Sequence, residues 1–224
     1  MKVDILSLFP DMFSGPFDSS IIKRAVGNKL VEIKIHDLRA WAKDRYKTVD
    51  DKPFGGGAGM VLKVDIIDRA VTDIKAGLGG GSKTRVVLLD AAGNRFDQQK
   101  AMDMSRLSGL IIICGHYEGV DYRVHEYLAD EVISVGEFIA SGGEIPAMMM
   151  VDAVVRLIPG AVGNKESVKF ESFTEDKDLV EYPQYTRPGE YKGWKVPDIL
   201  LSGDHKKIAV WRKQKMKRSF YLPE

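Results

Sequence analysis

The sequence feature that most constrains the fold is an alternation of short apolar segments with longer amphipathic ones. The apolar segments, rich in Val, Ile and Leu, predict β-strands at residues 3–9, 31–35, 85–90, 110–114 and 131–135. The amphipathic stretches predict helices at residues 19–28, 64–76, 96–107, 120–128 and 146–158. Strands that alternate with helices favour an α/β fold in which helices flank a mainly parallel sheet.

The pattern changes after residue 158 and indicates a second, smaller domain. Pro159 and Gly160 end the last of these helices, and the following segment is polar and aperiodic. We therefore expect an α/β domain over residues 1–160, a flexible linker over 161–178 and a small, mainly helical C-terminal domain over 179–224. A terminal helix is predicted at residues 204–217, where Lys and Arg cluster although the net charge is only +1.

Composition excludes several classes of protein. The apolar runs are too short or too interrupted to span a bilayer, so we expect no membrane segment. The one cysteine, Cys114, rules out an internal disulfide and suits a reducing cytoplasm. The four histidines show no spacing typical of a structural zinc site, and no metal ligands are predicted.

Two glycine-rich segments raise the possibility of phosphate binding. In "KPFGGGAGMVLK" the glycines match neither a P-loop nor a dinucleotide fingerprint, because Met60 stands where the next glycine belongs. "GLGGGSKT", residues 77–84, nearly matches a P-loop, and a nucleotide hydrolase is the corresponding alternative function. It is disfavoured because a P-loop leads from a strand into a helix, whereas this segment leads from a predicted helix into a strand.

A ligand site is better predicted at the ends of three strands. These strands run into "AAGN", "GHYEGVD" and "GEFIASGGEIP". The carboxyl ends of parallel strands meet at one edge of a sheet, and glycines there let backbone groups approach a ligand closely. The three segments contain no Lys or Arg, which disfavours a triphosphate ligand.

These residues also carry a family resemblance. "GHYEGVDYRV" and "SVGEFIASGGEIPAMMMVDAVVRLIPG" resemble the bacterial tRNA (guanine-N1)-methyltransferases, the TrmD type of the SPOUT superfamily. "LFPDMF", "TVDDKPFGGGAGMVL", "YTRP" and "VPDILLSGDHKKIAVWR" resemble that family too, in the same order along nearly the whole chain. The resemblance implies a deep trefoil knot, a homodimer with the active site at the subunit interface, and methyl transfer from S-adenosylmethionine to N1 of the guanosine immediately 3′ of the tRNA anticodon.

The resemblance also implies which residues bind the methyl donor, and they lie in or next to the same three strand ends. They are Leu89, Gly115, Tyr117, Glu118, Gly119, Ser134, Val135, Gly136, Glu137, Phe138, Ile139, Ala140, Gly142, Gly143 and Pro146. Ala58 and Ala91 stand where relatives commonly have proline. Mg²⁺ is implied by the family alone.

Guanine N1 carries a proton, so its methylation needs a base for that proton and a cation or donor near O6. The resemblance assigns Arg156 as the cation and Glu171 as the base, with Glu118 at the guanine edge or the donor's charged end. The family usually has aspartate at the position of Glu171, and Asp176 or Asp178 is the alternative base. A non-catalytic RNA-binding module of the same fold is the corresponding alternative function.

The remaining predicted contacts are to tRNA. By resemblance, Gly57 and Gly59 line a pocket for the flipped target guanine, where a Cβ would obstruct a flat base. On the terminal helix, positively charged side chains are predicted to neutralise phosphates of the tRNA backbone. They are Lys206, Lys207, Arg212, Lys213 and Lys215. Ile208 and Trp211 are predicted to face the interior of the small domain.

Overall fold

A computed structural model describes residues 1–78, 83–163, 171–174 and 176–218, with the backbone alone of Arg218. The chain divides into two compact units, residues 1–163 and 164–224. The predicted linker over 161–178 falls partly outside the described residues, as does the centre of the glycine-rich segment 77–84.

The first unit is built on a five-stranded sheet in which every neighbouring pair of strands is parallel. The strands of this unit are β1 (Lys2–Ser7), β2 (Glu32–Asp37), β3 (Asp50–Asp51), β4 (Val61–Leu62), β5 (Thr84–Arg95), β6 (Gly109–Cys114) and β7 (Glu131–Ser134). Strands β3 and β4 form a separate, short antiparallel pair, and the other five form the sheet. The sheet order is β2-β1-β6-β5-β7. The predicted α/β fold with a parallel sheet is confirmed.

Helices cover both faces of this sheet. They are α1 (Ser20–Gly27), α2 (Val64–Leu78), α3 (Gln98–Met104) and α4 (Glu144–Val155), with 3₁₀ turns at Pro10–Phe13, Pro16–Asp18 and Leu38–Trp41. Every residue of β6 is buried, which explains its unbroken apolar sequence. Leu110 and Ile112 pack with the buried residues of α1, α3 and α4, whereas Ile111 and Ile113 pack with those of α2.

Two predicted elements differ from the structure by more than three residues at one end. The strand predicted to end at residue 90 continues to Arg95, because Asn94 and Arg95 pair with β7 after an irregularity in register. The helix predicted over 120–128 is wrong for its first half, and only Val124–Leu128 forms a helical turn, of the wide π type. The start is extended because Val120 bridges to Leu62 and the Asp121 N–H donates to the Leu62 carbonyl.

The order of elements around residues 77–84 contradicts a P-loop. Helix α2 ends at Leu78 and strand β5 begins at Thr84, so the segment leads from helix to strand. A P-loop needs the opposite order, with the phosphate at the amino end of the helix that follows.

The second unit contains short strands and two helices. They are β8 (Leu179–Val180), which pairs with β11 (Lys217–Arg218), the hairpin β9 (Glu190–Tyr191) and β10 (Trp194–Lys195), α5 (Asp198–Leu201) and α6 (His205–Lys215). The Asp204 carboxylate caps α6 by accepting the N–H groups of Lys206 and Lys207. Within the described parts of the chain, no helix is long and apolar enough to cross a membrane.

Candidate active site

A cavity of about 330 Å³ opens where β6 and β7 end and beside residues 89–91 within β5. A volume of that order is enough for a small organic ligand. The cavity brings together all of the predicted donor-binding residues except Glu137, which is exposed and does not line it. It also has lining residues that sequence reasoning did not assign: Asp90, Ala91, His116, Ile133 and Ser141.

The segment after β6 has an unusual backbone. Tyr117 adopts a left-handed conformation, with φ of +59°, and Gly119 has φ of +102°. Non-glycine residues rarely hold a positive φ unless the surroundings enforce it, and such positions concentrate at functional sites. Here the Gly119 N–H donates to the His116 carbonyl at 2.9 Å and closes a tight turn.

The segment after β7 returns across the cavity to the β6 exit. Residues His116 and Gly142 form an antiparallel bridge, and the Gly143 N–H donates to the Gly115 carbonyl at 2.8 Å. Gly143 is required at this crossing, because a Cβ there would lie 2.8 Å from the Cα of Cys114. The two predicted donor segments therefore form one wall of the cavity.

The glycine-rich segment 55–59 lies against this wall. The Glu118 N–H donates to the Met60 carbonyl at 3.1 Å, and the Leu62 N–H donates to the Gly119 carbonyl at 3.0 Å. A Cβ on Gly59 would lie 2.3 Å from Cγ of Glu118. Gly57 shows no such approach, since its nearest neighbour would be Pro53 at 3.7 Å, and neither glycine lines the cavity itself.

The charges at the cavity are negative. Asp90 and Glu118 line it, whereas no lining residue among those described is Lys or Arg. One Asp90 oxygen accepts the Ala92 N–H at 2.8 Å, and the other lies 3.3 Å from Nε2 of His125. The cavity thus favours a cationic ligand and disfavours a polyphosphate.

Two ionisable groups near this edge have perturbed pKa values. Burial, with a smaller contribution from the Glu144 carboxylate, raises the pKa of the Cys114 thiol well above its ordinary value. A side-chain hydrogen bond from Arg123 lowers the pKa of Asp121, which follows the β6 exit. Cys114 is therefore an unreactive core thiol, and Asp121 a structural carboxylate.

Sequence reasoning missed a buried polar cluster beneath the cavity. Glu144, 1% exposed, accepts a hydrogen bond from the Ser7 hydroxyl at 2.8 Å, and its other oxygen lies 3.5 Å from Nδ1 of His116. A sequence signal existed, because the charged residue Glu144 directly precedes the apolar run "IPAMMMV". A carboxylate at the start of a helix is usually explained by its interaction with the helix dipole, so the sequence alone does not indicate the contacts of Glu144 with Ser7 and His116.

The predicted catalytic residues belong to different units. Arg156, half-buried, directly follows α4 in the first unit, where its N–H donates to the Asp152 carbonyl. Glu171, also half-buried, lies in the second unit, and its carbonyl accepts the Thr174 N–H at 3.2 Å. Their catalytic roles stay predictions.

The predicted RNA-binding cations on α6 are all exposed: Lys206, Lys207, Arg212, Lys213 and Lys215. The guanidinium of Arg212 stacks over the Tyr182 ring at 4.9 Å. Ile208 and Trp211 are only half-buried, and both line a cavity of about 380 Å³ within the second unit. Helix α6 thus carries five cations that are accessible to solvent.

Comparison with known proteins gives a consistent result. The model of the family described as tRNA (Guanine-1)-methyltransferase TrmD matches residues 1–222. A tRNA (guanine-N(1)-)-methyltransferase of Geobacter sp. (strain M21) is 52% identical over 220 residues, which cover 98% of this chain and 86% of that protein. The protein of the same name from Geobacillus kaustophilus (strain HTA426) is 50% identical over 221 residues, covering 98% and 88%.

Proposed function

Because the chain belongs to the tRNA (guanine-1)-methyltransferase family, we propose that it transfers a methyl group from S-adenosylmethionine to N1 of the guanosine immediately 3′ of the anticodon in tRNA. The observation that supports this most directly is the cavity at the carboxyl edge of the sheet. It gathers almost all of the residues predicted to bind the donor from three separate segments of the chain.

The chemistry of the cavity fits this donor. When bound, S-adenosylmethionine supplies a methyl group on a positively charged sulfonium. Asp90 and Glu118 provide negative charge at the cavity, and the absence of Lys and Arg from its described lining avoids repulsion of that cation. Gly115 and Gly142 line the cavity without a side chain, so an adenine or ribose edge can approach the backbone closely there.

The proposed reaction also needs residues that act on guanine. The N1 proton passes to a carboxylate, which we assign to Glu171, while the guanidinium of Arg156 stabilises the negative charge on O6. Glu118 is assigned to the guanine edge or the donor's charged end. Gly59 supports the last assignment, because its lack of a side chain leaves room for the Glu118 carboxylate.

We further propose that the enzyme is a homodimer. Helix α4 is buried along most of its length, yet Ile145 and Met149 are more than half exposed. Phe138 and Ile139, at the cavity, are exposed as well. Exposed apolar side chains grouped in this way fit a subunit interface next to the active site. The trefoil knot stays a prediction of the family resemblance.

The proposal also includes tRNA as the substrate and the cytoplasm as the location. The exposed cations of α6 suit phosphate binding, and a tRNA substrate together with the buried Cys114 thiol favours the cytoplasm. Mg²⁺ is not part of the proposal. Among the described residues, no group of three or more His, Cys, Asp or Glu side chains is arranged to hold a metal ion.

One assay tests the function. The protein is incubated with methyl-labelled S-adenosylmethionine and tRNA transcripts that carry either G or A immediately 3′ of the anticodon. We expect incorporation only with G, and a block to reverse transcription at that nucleotide, since N1 methylation removes a base-pairing group. Incorporation with neither transcript, when tRNA still binds, would instead identify a non-catalytic RNA-binding protein.

A further inference from the structure

The cluster of Ser7, His116 and Glu144 has no role in the proposed reaction, yet its geometry lowers the stability of the fold. Oε2 of Glu144 and Nδ1 of His116 are both buried, and neither has a hydrogen-bond partner among the described residues. The two atoms face each other at 3.5 Å. Since a buried polar atom without a partner destabilises a fold, such a pair in a native structure needs an explanation.

One arrangement that satisfies both groups follows from the hydrogen bond of Ser7. The Ser7 hydroxyl already donates to Oε1 of Glu144, so the carboxylate is anchored on β1 and its second oxygen is directed to the imidazole. A proton on Nδ1 of His116 then faces that oxygen, and a small approach completes a hydrogen bond between them. Gly142 makes the approach possible, because a Cβ there would lie 2.3 Å from both atoms.

The imidazole in turn adjoins the strained part of the cavity wall. His116 directly precedes Tyr117, whose φ is +59°, and its ring lies between Phe9 at 4.6 Å and Tyr117 at 5.0 Å. A left-handed tyrosine persists only where neighbouring contacts hold it. The imidazole of His116 faces the carboxylate of Glu144, which begins α4 and is hydrogen-bonded to Ser7 at the end of β1. This contact therefore connects the cavity wall to α4 and β1.

We propose that Glu144 is a positioning residue, which acts through His116 to hold residues 115–119 in the conformation that binds the methyl donor. This inference rests on the proposed function, because it takes the cavity as the donor site. Glu144 does not line the cavity, whereas His116 does. The carboxylate therefore acts on donor affinity by fixing the imidazole, and through it the left-handed turn at Tyr117.

The test measures S-adenosylmethionine binding by calorimetry without tRNA, together with melting temperature. H116A and E144A remove the interaction, whereas H116N and E144Q keep hydrogen-bonding groups at the same positions. We expect about tenfold weaker donor binding for the alanine variants, the low end for loss of a charge-assisted hydrogen bond. The donor affinity of the asparagine and glutamine variants should stay within about threefold of that of the parent. The double alanine variant should bind the donor no more weakly than either single alanine variant.

A matched control is available on the same sheet. His36 pairs with the Asp4 carboxylate at 2.7 Å between β2 and β1, and neither residue lines the cavity. H36A should lower the melting temperature without weakening donor binding. The proposal is overturned if H116A and E144A bind the donor as the parent does, or if H36A weakens it equally. Absence of donor binding by the parent protein would overturn the proposed function as well, so the two failures are distinguishable.

Discussion

The contact between Gly59 and Glu118 leads to a quantitative prediction for Gly59→Ala. The new methyl carbon would lie 2.3 Å from Cγ and 2.5 Å from Oε1 of Glu118. Unbonded carbon atoms prefer a separation of about 3.5–4.0 Å, so the overlap exceeds 1 Å. The backbone cannot yield easily, because the Glu118 N–H and the Gly119 carbonyl are both hydrogen-bonded to the segment at residues 60–62. The side chain of Glu118 must therefore rotate away.

Two costs can be separated by a matched variant. Gly59 has φ of +79° and Gly56 has φ of +81°, but a Cβ on Gly56 would meet nothing within 4 Å. Alanine in a left-handed conformation costs about 1–2 kcal/mol, so both variants should lose about that much stability. For a chain of this size the melting temperature should fall by about 2–8 °C. Only Gly59→Ala adds the displacement of the Glu118 carboxylate.

The assay is donor binding by calorimetry at a temperature where both variants are folded. We expect Gly59→Ala to bind S-adenosylmethionine about two- to fivefold more weakly than Gly56→Ala, a small effect because the exposed Glu118 carboxylate is screened by water. Adding Glu118→Ala should abolish the difference in stability between the two glycine variants. Equal donor affinity of Gly59→Ala and Gly56→Ala would refute the argument.

Three further predictions concern other parts of the chain. Burial raises the pKa of the Cys114 thiol, so as pH rises past about 8.5 this thiol ionises in the unfolded state but not in the folded state. The contribution of Cys114 to the free energy of unfolding is therefore fully present below about pH 8.5 and is lost as the pH rises above it. Iodoacetamide at pH 8 should label Cys114 only after denaturation, and rapid labelling of the native protein would contradict burial. Replacing Lys213 and Lys215 by alanine should weaken tRNA binding and reduce its salt dependence while donor affinity is unchanged, as measured by filter binding at several salt concentrations. Glu171→Gln should lower the rate of methyl transfer about 10²- to 10⁴-fold in single-turnover assays without weakening donor binding, and an undiminished rate would transfer the role of base to Asp176 or Asp178.

Much of the fold follows from local sequence, and so does most of the lining of the cavity proposed to bind the donor. A strand is predicted at residues 110–114 because five consecutive apolar residues suit a strand buried on both faces, and β6 contains all of them. The sequence places the cavity at one edge of the sheet because β5, β6 and β7 are parallel, although residues 89–91, predicted to end a strand, lie within β5. Glu137 does not follow its neighbours, since it is exposed and stays outside the lining.

Some expectations failed where tertiary pairing overrode local pattern. Residues 120–128 have helical periodicity, but hydrogen bonds to Leu62 hold their start extended. Strand β5 extends past Asp90 because β7 offers partners to Asn94 and Arg95. Gly93 permits this, as a Cβ there would lie 2.5 Å from the Ile133 nitrogen. Backbone N–H and C=O groups are the same in every residue, so a sequence gives little sign of which ones will pair.

The sequence by itself determined the parallel α/β fold, the family resemblance and the segments that form the cavity, because hydrophobic periodicity and glycine positions act locally. Only the tertiary structure decided which distant residues meet. Ser7 reaches Glu144 across 137 positions, and the glycine segment at 55–59 reaches Glu118. Such contacts depend on how the strand ends and their connections pack together, and they place a buried carboxylate and a glycine where they can control the wall of the proposed donor site.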